Sequence, residues 1–112
     1  MQPEVLKYIL DIESVIKEIE DIKARTNNDF ERFLDDIVLQ RAIERDLQII
    51  GEAVRKILSL RPDLKITSAN KIIGLRNIIS HAYDTVEPEL IWAIIQKDIP
   101  ILGDELRRLR NR

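Results

Sequence analysis

Apolar residues in this chain recur at helical spacing, and strand-like alternation is absent. Val5, Ile9, Ile12, Ile16 and Ile19 are separated by four, three, four and three residues. Ile43, Leu47, Ile50, Val54 and Ile57 repeat the same intervals. An α-helix turns once in about 3.6 residues, so each set forms one apolar stripe on an otherwise polar helix. Helices of this kind hide their stripes against one another, which predicts a helix bundle.

The punctuation between the stripes sets the helix count. "TNND" at 26–29 offers turn and cap residues and ends the first helix. A short helix from about Asp29 to Asp35 follows. The second long helix, about 24 residues, would span roughly 36 Å. Gly51 lies in its middle, where it costs about 1 kcal/mol relative to Ala and marks the close approach of another backbone. "SLRPDLKITSAN" (59–70) is the main loop, with Pro62 as the stop and Thr67 or Ser68 as the next cap. A third long helix runs to about Tyr83. "DTVEPE" interrupts, and Pro88 suits the first turn of a last helix reaching about Leu109. Pro100 predicts a kink or a split near Asp98. The expected architecture is a single all-α domain, 1–112: an up-and-down bundle of four long helices plus one short helix.

Composition narrows the chemistry. A chain of 112 residues supports one modest core, and 45% apolar content is enough to fold it. The absence of cysteine excludes disulfides, thiolate zinc sites and cysteine nucleophiles. With one histidine and no suggestive carboxylate spacing, no metal and no cofactor is expected. No apolar run approaches membrane-spanning length. An early acid, Glu4, and the lack of a basic leader read as a mature cytoplasmic chain. The net charge of −2 argues against a general nucleic-acid coat protein. Its distribution is uneven: residues 1–40 carry 5 basic and 10 acidic residues, a net of −5, and residues 41–112 carry 13 and 10, a net of +3. A polyanion should therefore approach the later half.

That half contains "GLRNIISHAYD" (74–84), with the only histidine. Stepping about 100° per residue from Arg76 puts Leu75, Ile78, Ile79 and Ala82 on one side, the expected core face. Arg76, Asn77, Ser80, His81, Tyr83 and Asp84 fall on the other. Arg76 and Tyr83 stand in one line, Asn77 and His81 in an adjacent one. A polar stripe is ordinarily a solvated helix face. This one combines a phosphate-binding fork, a proton-transfer group near neutrality and a phenol, at a helix end whose dipole favours imidazolium. Such groups suit metal-free cleavage of RNA by its own 2′-hydroxyl, which needs a base, an acid and positive charge on the phosphorane. Arg76 can supply the charge and His81 the base or the acid. One histidine cannot easily be both at once, so activity would need a dimer.

"RNIISHAY" resembles the R-x-x-x-x-H-x-Y motif of HEPN-domain ribonuclease toxins of the HepT type. "RAIERDLQIIGEAV" (41–54) is similar to that family's long helix, and "IWAIIQKDIPIL" (91–102) to its last one. The resemblance implies a HEPN-like fold and a dimeric toxin that cleaves RNA. It implies Arg76 and His81 as the catalytic pair, with Asn77 and Ser80 as motif support. It implies Tyr83 as the site that a nucleotidyltransferase antitoxin modifies with AMP. Arg45, Gly51 and Glu52 match recurrent positions, and Glu52 would orient a site arginine. One departure is Ser68 to Asn70, where an apolar or Trp anchor is common. The alternative is a non-catalytic HEPN module that binds a nucleotide or a partner. Trp92 is expected in the core or at a dimer interface. The arginines of "RRLRNR" are either a frayed, solvated end or an RNA-backbone contact.

Overall fold

The computed structural model describes residues 1–81 and 86–112. Helix α1, Pro3–Arg25, begins with Pro3, whose missing N–H is harmless in a first turn. Lys23 and Arg25 lie in its last turn, where the dipole favours cations. The chain then reverses through Asn27 and Asn28, both at φ 55°, a left-handed conformation that Asn tolerates better than most residues. Asp29 caps α2, Phe30–Leu34, by accepting from the Glu31 N–H at 3.0 Å. Asp36 caps α3, Ile37–Leu60, by accepting from Leu39. Gln40 closes the corner: its Nε2 donates to the carbonyls of Phe33 and Leu34, at 2.9 and 3.0 Å.

The two stripes read from the sequence meet in the core. Ile43, Leu47, Ile50, Val54 and Ile57 of α3 are at most 1% exposed, as are Val5, Ile9, Ile12 and Ile19 of α1. Each such side chain stabilises the fold by roughly 1.5–3 kcal/mol relative to exposure. Trp92 is partly buried and packs against the core: its ring tilts onto Phe30 and Phe33 with centroids 5.9 and 5.0 Å away.

Helix α4, Ala69–His81, departs from the expected orientation. Ile72 and Leu75 are buried and Ile79 partly so, but Ile78, assigned to the core face, is 51% exposed. The buried arc is rotated toward Arg76 because α4 leans on α3 at Gly51. Ala82 lies outside the described residues. The two expected cap hydroxyls are turned to the last helix: Ser68 Oγ donates to Asp98 Oδ1 at 2.9 Å, and Thr67 Oγ1 to Glu105 Oε2 at 2.8 Å.

That last helix is continuous from Pro88 to Arg110. It comprises α5 (Pro88–Ala93), one π-helical turn (Ile94–Asp98) and α6 (Ile99–Arg110). Pro100 has no N–H for the preceding turn and its ring crowds that turn's carbonyl, so the helix widens there instead of breaking. The terminal arginines are ordered into the helix as far as Arg110. Arg110 Nε pairs with Glu13 Oε1 at 2.6 Å, and Arg107 Nη2 with Asp104 Oδ1 at 2.7 Å. Among the described residues there is no strand, and no helix is long and apolar enough to cross a membrane. The fold is the expected all-α bundle of four long helices and a short one.

Candidate functional site

The site begins where α3 and α4 touch. A Cβ placed on Gly51 would lie 2.5 Å from Arg76 Cβ and 3.0 Å from the carbonyl oxygen of Ile72. Only glycine allows this approach. It brings the next residue on α3, Glu52, beside the Arg76 guanidinium. Arg76 Nη2 and Glu52 Oε2 are 2.5 Å apart. Arg76 Nη1 donates to Asn77 Oδ1 at 2.7 Å, so two acceptors fix the fork. Glu52 is itself shared, because Arg55 Nη2 donates to its other oxygen, Oε1, at 2.7 Å.

Arg76 thus does not stand on a solvated face opposite the core. Its side chain is 27% exposed and lies along the α3–α4 seam, with Glu52 31% exposed. A pair this accessible adds little stability; what it supplies is position. The Arg55 hydrogen bond, and then the charges of Arg55 and Arg76, hold the Glu52 carboxyl below the usual carboxylate range, outweighing its desolvation. Glu52 is therefore ionised at neutral pH, and Arg76 keeps its partner.

Ser80 and His81 belong to the last turn of α4, and their side chains lie outside the described structure. His81 follows Arg76 by five residues, about 7.5 Å along the axis and about 140° around it. Tyr83 lies outside the described residues. Arg45 sits nearly two turns before Glu52 on α3 and lines a groove between α1 and α3 with Glu52, Lys7, Tyr8 and Lys56. Among the described residues no group of three or more histidine or carboxylate side chains could hold a metal ion.

The structure therefore brings Arg76, Asn77 and Glu52 together and adds Arg55, which sequence reasoning missed. Its three-residue spacing from Glu52 was the available signal. Chemically, the cluster is an immobilised guanidinium with one accessible side, suited to an anionic oxygen.

A model of the family described as "Ribonuclease HepT-like" matches residues 12–109. The chain is 34% identical over 103 residues to "Putative RNase TTE0752" of Caldanaerobacter subterraneus subsp. tengcongensis, covering 90% of this chain and 92% of that protein. It is 33% identical over 108 residues to "Probable ribonuclease HepT" of Thermococcus cleftensis, covering 93% and 94%. It is 33% identical over 79 residues to "Putative RNase MJ1380" of Methanocaldococcus jannaschii, covering 70% and 72%. No solved structure matches it.

Proposed function

This chain belongs to the HepT-like ribonuclease family, and we propose that it is a metal-independent endoribonuclease toxin acting as a dimer in the cytoplasm. The observation that carries the proposal is the clamp on Arg76. Glu52 and Asn77 hold the guanidinium in place on the same helix that carries His81.

In the proposed reaction His81 accepts the proton of an RNA 2′-hydroxyl. The 2′-oxygen bonds to the adjacent phosphorus, and the bond from phosphorus to the 5′-oxygen breaks. The partner copy's imidazolium gives that oxygen its proton, leaving a 2′,3′-cyclic phosphate and a 5′-hydroxyl. Arg76 offsets the extra negative charge of the phosphorane. The dimer that pairs the two sites would use the exposed apolar surface shared by α4 and α5, where Ile78 is 51% and Leu90 43% exposed. Both line a shallow apolar groove with Gly74, Leu75 and Ile94. The partner in the proposed system is a nucleotidyltransferase antitoxin that adds AMP to Tyr83.

The test is cleavage of single-stranded RNA in the presence of EDTA. Arg76→Ala and His81→Ala should each lose a factor of about 100 or more in rate, with circular dichroism unchanged. Wild-type cleavage by His81→Ala would refute the mechanism. One observation favours the alternative, a non-catalytic binding module: Glu52 already neutralises Arg76. Purified wild type that binds RNA and never cuts it would select that alternative.

A further inference from the structure

The α1–α3 groove encloses about 580 Å³, within the range of small-ligand sites. Its walls carry Lys7 and Tyr8 from α1, and Arg45, Ile49, Glu52 and Lys56 from α3. Tyr8 is partly buried, and two ammonium groups lie beside its ring: Lys7 Nζ is 5.2 Å and Lys56 Nζ 5.5 Å from the centroid. Such contacts are weak at exposed positions and yield to an anion. Lys7 also pairs with Asp11 at 3.2 Å, but these side chains are 68% and 53% exposed, so water screens the pair. The second acid of the groove, Glu52, is already occupied by Arg55 and Arg76. The groove is thus an aromatic ring with an apolar neighbour, Ile49, which is 40% exposed, under an excess of cations. A nucleotide needs this combination, a flat face for its base and positive charge for its phosphate.

Glu52 links the groove to Arg76, being a wall of one and the ion-pair partner of the other. We propose that this groove binds the nucleotide neighbouring the one held at Arg76, with its base against Tyr8 and its phosphate among Lys7, Arg45 and Lys56. The inference rests on the ribonuclease reading and names how that site grips its strand. It also places part of the RNA path on α1, in the acidic half of the sequence, because α1 turns Lys7 toward the cations of α3.

The test measures binding apart from cleavage. A short fluorescent 2′-O-methyl oligoribonucleotide cannot supply the attacking hydroxyl, so its anisotropy reports affinity alone. Tyr8→Ala should weaken binding roughly 5- to 100-fold, as loss of a stacking platform does. Tyr8→Phe should stay near wild type. Lys56→Glu should weaken binding and flatten its salt dependence. Lys65→Glu, in the 59–70 loop, should bind as wild type. Wild-type affinity in both Tyr8→Ala and Lys56→Glu, with circular dichroism intact, overturns the inference. So does failure of wild type to bind the probe. A Tyr8→Ala variant that changes sedimentation and leaves affinity alone would assign the groove to a second copy of the chain, which also overturns it. Cleavage of unmodified RNA is followed in parallel; its absence alongside probe binding refutes the ribonuclease reading and leaves the groove standing.

Discussion

Gly51 is the floor on which the base of the Arg76 side chain rests. Their contact is so close that a methyl group on Gly51 would stand 2.5 Å from Arg76 Cβ. The Ile72 carbonyl, 3.0 Å from that point, is backbone and cannot rotate away. Gly51→Ala should therefore push α4 off α3. Overpacking of this kind typically costs about 1–3 kcal/mol, against a helix-propensity gain of about 1 kcal/mol. The variant should melt below wild type and lose RNA cleavage. An equal or higher Tm in a thermal melt would show that the seam is looser than described.

Glu52 fixes Arg76, and in the proposed reaction it does not touch the phosphate. Glu52→Gln keeps the shape and removes the charge. Its kcat should fall about tenfold or more, because a guanidinium free to swing is misplaced in most encounters. Its KM should change little, since removing an acid does not weaken attraction for RNA. A rise in KM at constant kcat would assign Glu52 to substrate binding instead.

The exposed Ile78 and Leu90 should be covered in solution. Sedimentation at micromolar concentration should give a dimer, and Ile78→Asp should give a monomer that still folds, since Ile78 is outside the core. The same variant should lose cleavage, because the histidine of the second copy is then missing. An active monomer would remove the need for two copies.

Tyr83 follows Arg76 by seven residues in sequence, just before "DTVEPE". A phosphate added there would compete for Arg76, and the adenosine would obstruct RNA. After co-expression with the cognate nucleotidyltransferase, mass spectrometry should find wild type carrying AMP and Tyr83→Phe carrying none. Modification mapped to Tyr8 would reassign the site.

Asp46 makes the fold itself sensitive to pH. Burial first, then the charge and hydrogen bond of Glu18, push its carboxyl from the ordinary 3.8 up to about 7, against a lowering pull from Arg45. Its Oδ2 is buried with no hydrogen-bond partner among the described residues. Between those two values the folded chain holds a proton that the unfolded chain has released. The associated stability is complete below about 3.8 and is lost as pH rises to about 7. Asp46→Asn, with an amide that can donate to Glu18, should melt close to wild type at acid pH and above it at pH about 8. Parallel melting curves across that range would show that Asp46 does not titrate within it.

The stripes on α1 and α3 made the bundle legible, because intervals of four and three leave one face for each helix. Gly51 and Pro100 were legible too, since each breaks a local rule in mid-helix. The rotation of α4 was not. Its run of apolar residues, "KIIGLRNII" (71–79), covers a broad arc, so spacing alone permits either Ile78 or the Arg76 edge to face inward. Docking at Gly51 decides between them, and that is a contact between helices. The groove at Tyr8 was hidden for the same reason: Lys7 and Lys56 are distant in sequence and meet beside one ring only after α1 packs on α3.

The π turn at Ile94–Asp98 acts on the candidate site from across the molecule. A π turn holds one residue more than an α turn, so it sets the phase of everything after it. Asp98, at its end, receives Ser68 and Lys71, and Glu105, two turns on, receives Thr67. These are the moorings of the segment that launches α4. Deleting a single residue from 94–98 would remove that extra residue and restore a regular α-helix with Glu105 still in phase, whereas deleting one from 99–101, which has no extra residue to give up, would swing Glu105 by about 100° around the axis. Leu102 and Leu106 would leave the core with it, and the start of α4 would lose its berth. One-residue deletions should thus be tolerated far better within the π turn than in the α-helical turn that follows it, and the position of Arg76 is tuned by a stretch of chain that never comes near it in sequence.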